Sequence, residues 1–220
     1  MLEIWGRKNS SNVMPVMWAV GELGLEHVRH DVGGSFGGLD SPDYGKLNPN
    51  RRIPTINDNG FVLWESNAIV RYLCAQYGKG SLWPNEPKEL AIADQWMEWC
   101  KTTAFPLFFP MFWALVRTST DQRDPAAIDK QAAALGDTLT MLDDRLADRP
   151  FVAGESLTMG DIPLGAMAYR YYNLAIDRPS LPNVEAWYRK LCERPPYQQH
   201  VMFPFGGSPE EWLGLERQGI

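Results

Sequence analysis

The sequence predicts a small α/β domain followed by an all-helical one, and three observations carry that reading. Short apolar stretches separated by Gly, Pro, Asn and Asp fill the first eighty or so residues. Beyond them, apolar residues recur at helical spacing almost throughout. Between the two lies GKGSLWPNEPKE, residues 78–89, with two Gly and two Pro in twelve positions, the composition of a connector. The domains read as 1–79, a linker at 80–90, and a helical domain at 91–220.

Taken in order, Leu2–Trp5 forms a first strand, and the polar loop GRKNSSN turns into a helix at about Val13. A second strand covers residues 27–32, and a long irregular, Gly-rich connection follows. Residues 54–57 and Phe61–Trp64 read as a hairpin. The stretch ESNAIVRYL then starts a helix whose buried face is Ile69, Val70, Leu73 and Cys74. In the second part, Ile92, Trp96 and Trp99 mark a helix beginning just after Pro87. Ile128, Ala132, Leu135, Leu139, Leu142 and Leu146 give one apolar stripe over residues 127–147. Val184, Trp187, Tyr188, Leu191 and Cys192 mark another helix, which Pro195 closes.

Composition removes several functions. With 21 Lys and Arg against 27 Asp and Glu the formal charge is −6, the wrong sign for a protein that holds nucleic acid by neutralising phosphates. No apolar run approaches the ~18 residues of a membrane span. The N-terminus lacks the charged and apolar regions of an export signal, so a cytoplasmic protein is expected. Three widely spaced cysteines, Cys74, Cys100 and Cys192, fit buried small side chains better than a disulfide scaffold or a zinc site, and no metal is expected.

Two helix starts carry candidate chemistry. Ser10, Ser11 and Asn12 precede the helix at Val13, where unpaired amides and the macrodipole favour an anion. One of them serves as an N-cap; two hydroxyls and an amide exceed what one cap requires. Glu65 and Ser66 occupy the second helix start, where capping alone accounts for Ser66. In NPNRRIPTI, Pro54 opens a strand, and from the residues alone an ordinary trans edge proline is the default, with a cis bond open to it. In SLTMGDIPLG, Thr158 and Asp161 have the spacing of a capping box, the hydroxyl bonding the Asp161 N–H and the carboxylate reaching back to the Thr158 N–H.

Strand, SSN loop, NPNRRIPTI, ESNAI helix start and the capping box, in this order and spacing, resemble the cytosolic glutathione transferases over most of the chain. That resemblance implies a thioredoxin-like N-terminal domain, a mixed four-stranded sheet with helices, followed by an all-α helical bundle. It implies glutathione as cosubstrate, a homodimer, and conjugation of the thiol to small hydrophobic electrophiles in detoxification. A glutathione-dependent isomerase, reductase or dehalogenase on the same fold, and a non-catalytic binder of hydrophobic ligands, are the alternatives.

By the same resemblance Pro54 is cis, Ile53 pairs its backbone with the cysteinyl unit, Ser66 takes the γ-glutamyl carboxylate, and Glu65 the α-ammonium. Arg52 reaches toward the peptide or its glycyl end. The absence of Tyr before Tyr44 and of Cys in the loop points to the serine-type classes. Ser10 is the first choice for the thiol contact, with Asn12 beside it, and a one-residue slip makes Ser11 the competitor. A thiol ionises near pH ~8.5, and a hydroxyl donating to sulfur at a helix start lowers that value. Arg51 departs from the family pattern, standing where a glycine is usual. For the electrophile, TTAFPLFFPMFWALVR offers Phe105, Phe109 and Trp113, with Pro106 and Pro110 bending or breaking the helix, and Tyr169 adds a further ring. The apolar tail after His200 folds over the cleft or packs on a partner subunit.

Overall fold

The computed structural model describes residues 1–219. Strands β1 (Leu2–Trp5), β2 (His27–His30), β3 (Thr55–Asp58) and β4 (Phe61–Trp64) form one sheet in the order β2-β1-β3-β4. β1 and β2 run parallel, so the chain must cross over, and α1 (Val13–Glu22) supplies the crossover. β3 lies antiparallel to β1 and to β4. A two-residue turn suffices between β3 and β4, with Asn59 and Gly60 both at positive φ, as a hairpin turn matching strand twist requires. Ile4 pairs opposite Ile56, both wholly buried, and fixes which face of the sheet meets α1 and α3 (Ser66–Tyr77).

Three local readings need correction here. β2 ends at His30 rather than residue 32, because the chain turns out of the sheet toward Gly33. The connection read as irregular holds a short helix, α2 (Pro42–Leu47), started by Pro42 and capped by the Ser41 hydroxyl, which accepts from the Tyr44 N–H. Six residues are too few for a periodic signal; the helix is held by Tyr44, whose hydroxyl donates to the Arg52 carbonyl at 2.6 Å. The Ile53–Pro54 bond is cis, as the resemblance implies and against the residue-level default. Arg51, in place of a glycine, sits at φ 52, the left-handed region that glycine enters freely. Its guanidinium holds the position by donating to the Leu39 and Ser41 carbonyls.

The helical part comprises α4 (Pro87–Trp99), α5 (Phe105–Val116), α6 (Pro125–Arg145), α7 (Asp161–Asn173), α8 (Pro182–Cys192), α9 (Pro195–His200) and α10 (Pro209–Arg217). α6 begins two residues before the expected start because Asp124 caps it, accepting from the Ala127 N–H. Pro195 does not only close α8 but opens α9, as a first-turn proline can. The expected break near Pro106 is instead a wide π turn, Cys100–Ala104, joining α4 to α5; Pro106 falls in the first turn of α5, and the helix passes through Pro110.

The capping box is half as drawn. The Asp161 carboxylate accepts from the Thr158 N–H at 3.0 Å, but the Thr158 hydroxyl donates to the same carboxylate instead of capping the helix. Its other oxygen accepts from the Val152 N–H and the Trp187 indole, each at 3.0 Å, so one buried side chain ties three segments together. The two parts of the molecule meet along α1 and α7. A Cβ at Gly165 would lie 2.6 Å from the Trp18 ring, so this close approach needs glycine. Arg194 closes the seam on Glu22 at 2.5 Å, and Leu82 in the connector accepts from the Met159 N–H.

Candidate functional site

Two adjoining clefts open along this seam, and they share Ser11 and Asn12. The smaller, about 30 Å³, lies between the starts of α1 and α3 and the helical domain, with Ser66, Asn67, Lys101, Phe105 and Arg170 around it. The larger, about 220 Å³, runs from Ile53 and Arg52 past Ser10 and Ser11 to Phe109, Trp113 and Arg117. Neither α1 nor α3 carries a side-chain hydrogen bond from its cap residue. At α3 the first amides therefore remain available to a negatively charged group, where the macrodipole adds its attraction, whereas at α1 the Val13 and Met14 amides already donate to the Ser10 carbonyl.

Most residues singled out from the sequence converge here. Ser10 is buried, and its Oγ accepts from the Asn12 N–H at 3.3 Å. Ser11 is half-buried at the junction of the clefts, and its Oγ accepts from the Arg170 guanidinium. Ser66 is buried at the first position of α3. Glu65, exposed beside it, is held at φ 73, a costly conformation for a side-chain-bearing residue and one found preferentially where a site demands it. Pro54 is buried behind Ile53. Of the proposed electrophile contacts, Phe105 lines the smaller cleft, while Phe109 and Trp113 line the larger and are partly open to solvent. Tyr169 lines neither; it packs edge-on against Phe205.

Among the lining residues that the sequence did not single out are four cations, Arg7, Lys101, Arg117 and Arg170. Arg170, on α7, is buried and, among the described residues, pairs with no carboxylate; it donates to the Ser11 hydroxyl and, at 2.5 Å, to the Asn9 carbonyl, and its guanidinium lies over the Phe112 ring. Burial, then the nearby Arg7, hold its pKa down at about 9, the mark of a cation left without a counter-charge. The one signal available was an arginine inside the apolar run GAMAYRYY, where a solvated charge is out of place.

The tail folds over the cleft, one of the two arrangements expected of it. Trp212 of α10 lines the larger cleft and packs edge-on against Phe112. Glu216 contacts Arg7 at 2.6 Å and accepts from the Ser35 N–H at 2.7 Å. Gly34 eases that approach: its φ of 59 strains a residue with a side chain, and a Cβ there would lie 2.7 Å from the Glu216 carboxylate and push it aside.

Cys74 and Cys100 are buried, and burial pushes both thiols up to about 12, so neither is a nucleophile. Among the described residues no group of His, Cys, Asp and Glu could hold a metal ion, and no helix is long and apolar enough to cross a membrane.

Comparison with known proteins agrees with this fold. Residues 9–76 match the family model for the glutathione S-transferase N-terminal domain and residues 125–190 that for the C-terminal domain. Glutathione S-transferase GstB of Escherichia coli K12 is 37% identical over 206 residues, covering 93% of this chain and 99% of the relative. A theta class glutathione S-transferase from Xanthomonas axonopodis pv. citri, solved with glutathione bound, superposes with a TM-score of 0.89 at 45% identity over 93% of this chain and 99% of that one. The Bombyx mori transferase BmGSTD1 follows at a TM-score of 0.81 and 27% identity, over 100% of this chain and 97% of its own. Two matched domains, a full-length relative and a shared fold together establish that this chain belongs to the glutathione S-transferase family.

Proposed function

We propose that this chain binds glutathione along Ile53, with the γ-glutamyl end at Ser66 and the start of α3, and transfers its sulfur to a small electrophile held against Phe105, Phe109 and Trp113. Glu65 faces the α-ammonium, and Arg52 takes the glycyl end. The thiol gives up its proton to solvent, the thiolate forms the carbon–sulfur bond, and the leaving group departs with the electron pair of the bond it breaks. Homodimeric assembly and a cytoplasmic setting are part of this reading, by likeness to the family.

One observation carries it: Ser11 stands where the two clefts meet, with its oxygen already accepting from a buried guanidinium. A hydroxyl whose lone pair is taken directs its own proton outward, toward a sulfur lying between the clefts. The cation behind it favours the thiolate electrostatically, and a neighbouring charge of that kind lowers a pKa by about 1–3 units. This favours Ser11 over Ser10 as the hydrogen-bond donor, since Ser10 is buried and touches only the larger cleft. Asn12 completes the turn between them.

The test is to replace each serine by Ala and titrate the bound glutathione thiol through its thiolate ultraviolet absorbance. The Ser11→Ala protein is expected to show a thiol pKa raised by about one unit or more and a conjugation rate lowered about tenfold or more, Ser10→Ala a smaller change in both. A deficit confined to Ser10→Ala returns the donor role to Ser10. Absence of any thermal stabilisation by millimolar glutathione overturns the whole reading.

A further inference from the structure

In a chain of formal charge −6, the larger cleft is lined by four arginines, Arg7, Arg51, Arg52 and Arg117, and, among the described residues, by no Asp or Glu. Three of the four have an assignment. Arg51 is engaged by backbone carbonyls, Arg52 adjoins Ile53 at the end that glutathione takes, and Arg7 meets Glu216.

Arg117 has none. It stands at the end of α5, and its guanidinium is held between two indoles, 4.3 Å from the ring centre of Trp113 and 5.0 Å from that of Trp212. Among the described residues no carboxylate reaches it at ion-pair distance; Glu216 attracts it from farther off but is already on Arg7, which repels Arg117. Arg170 stands behind Phe112 as a further cation without a counter-charge. A guanidinium clamped by aromatic faces is preorganised, and its planar fork suits a carboxylate or another oxyanion.

We propose that this end of the cleft receives a negatively charged group on an aromatic electrophile, a carboxylate or a similar oxyanion paired with Arg117, while the aromatic ring lies among Phe109, Trp113 and Trp212. The inference rests on the transferase reading and narrows its electrophile to a charged class. The tripeptide's own carboxylates are accommodated elsewhere, at the start of α3 and at Arg52, so Arg117 remains for the second substrate.

Two electrophiles differing in charge test it: 4-chloro-3,5-dinitrobenzoate and its methyl ester. In both, glutathione thiolate adds at the chlorine-bearing carbon and chloride leaves with its bonding pair. With kcat/KM divided by the uncatalysed rate constant, the acid is expected to exceed the ester by about tenfold or more, the discrimination a charge-assisted hydrogen bond provides. Arg117→Gln is expected to cut that ratio by about tenfold, mainly through KM for the acid, with the KM for glutathione staying near its starting value. A ratio near one in the unsubstituted protein overturns the proposal. So does an Arg117→Gln protein in which acid and ester fall together, or in which the glutathione KM rises instead. Conjugation of the ester without preference for the acid leaves the transferase reading standing; conjugation of neither, with no stabilisation by glutathione, removes both.

Discussion

Helix α7 carries two buried ionic side chains nine residues apart, and they are treated in opposite ways. Asp161 at its start is wholly buried and accepts from four donors, the amides of Val152 and Thr158, the Thr158 hydroxyl and the Trp187 indole. Arg170 near its end is 3% exposed and bonds two neutral oxygens, with no carboxylate of the described residues in reach. A charge satisfied on every side holds segments together; a charge satisfied only by neutral partners, beside a cleft, is poised for one that arrives from outside. The same helix thus anchors the fold at one end and lines the cleft at the other.

The sharpest way to break this contrast is Asp161→Asn. The amide places two donors among four, and a cost of about 3 kcal/mol is expected, read by urea or thermal unfolding. A loss under about 1 kcal/mol would make the carboxylate a passenger. Arg170→Met should do the reverse: removing a buried cation without a counter-charge leaves stability near its starting value, while the pKa of the bound glutathione thiol climbs by about one unit. If unfolding free energy falls as far as in Asp161→Asn and the thiol does not move, the two ends of the helix are alike after all.

A smaller effect sharpens the comparison with a third buried group. His200, packed under α1 near Gly21, has its pKa pushed down to about 4 by burial, then by His27, Lys8 and Arg29. It is buried neutral. Because the folded value lies below the ordinary 6.5, the unfolded chain binds the proton more readily. The stability His200 contributes is full above pH 6.5 and is lost as pH falls toward 4. Melting temperatures followed over that window should drop less steeply in His200→Gln; parallel profiles would assign the acid sensitivity to other groups.

Much of this was legible in sequence because the physics is local. A hairpin turn, a proline at a helix start, a stripe of leucines along α6 and a pair of serines ahead of α1 each leave a mark within a few residues. What stayed hidden depends on partners far along the chain. Arg170 gains its meaning from Ser11, 159 positions away, and Glu216 from Ser35, 181 away. α2 was missed because Tyr44 holds it through the Arg52 carbonyl and Thr55 rather than through an apolar face. The capping box was recognised from its spacing, but its hydroxyl turns inward because the carboxylate gathers donors from elsewhere in the fold.

The hold of Glu216 on Arg7 and Ser35 makes the last turn of α10 both roof and counterweight to the positive cleft. Trimming the chain before Trp212 would widen the mouth and, in the same stroke, release Arg7 as an additional cation facing the incoming molecule. Changes in the length of the carboxyl-terminal end, which look like peripheral drift in a gene, therefore alter admission and selectivity together.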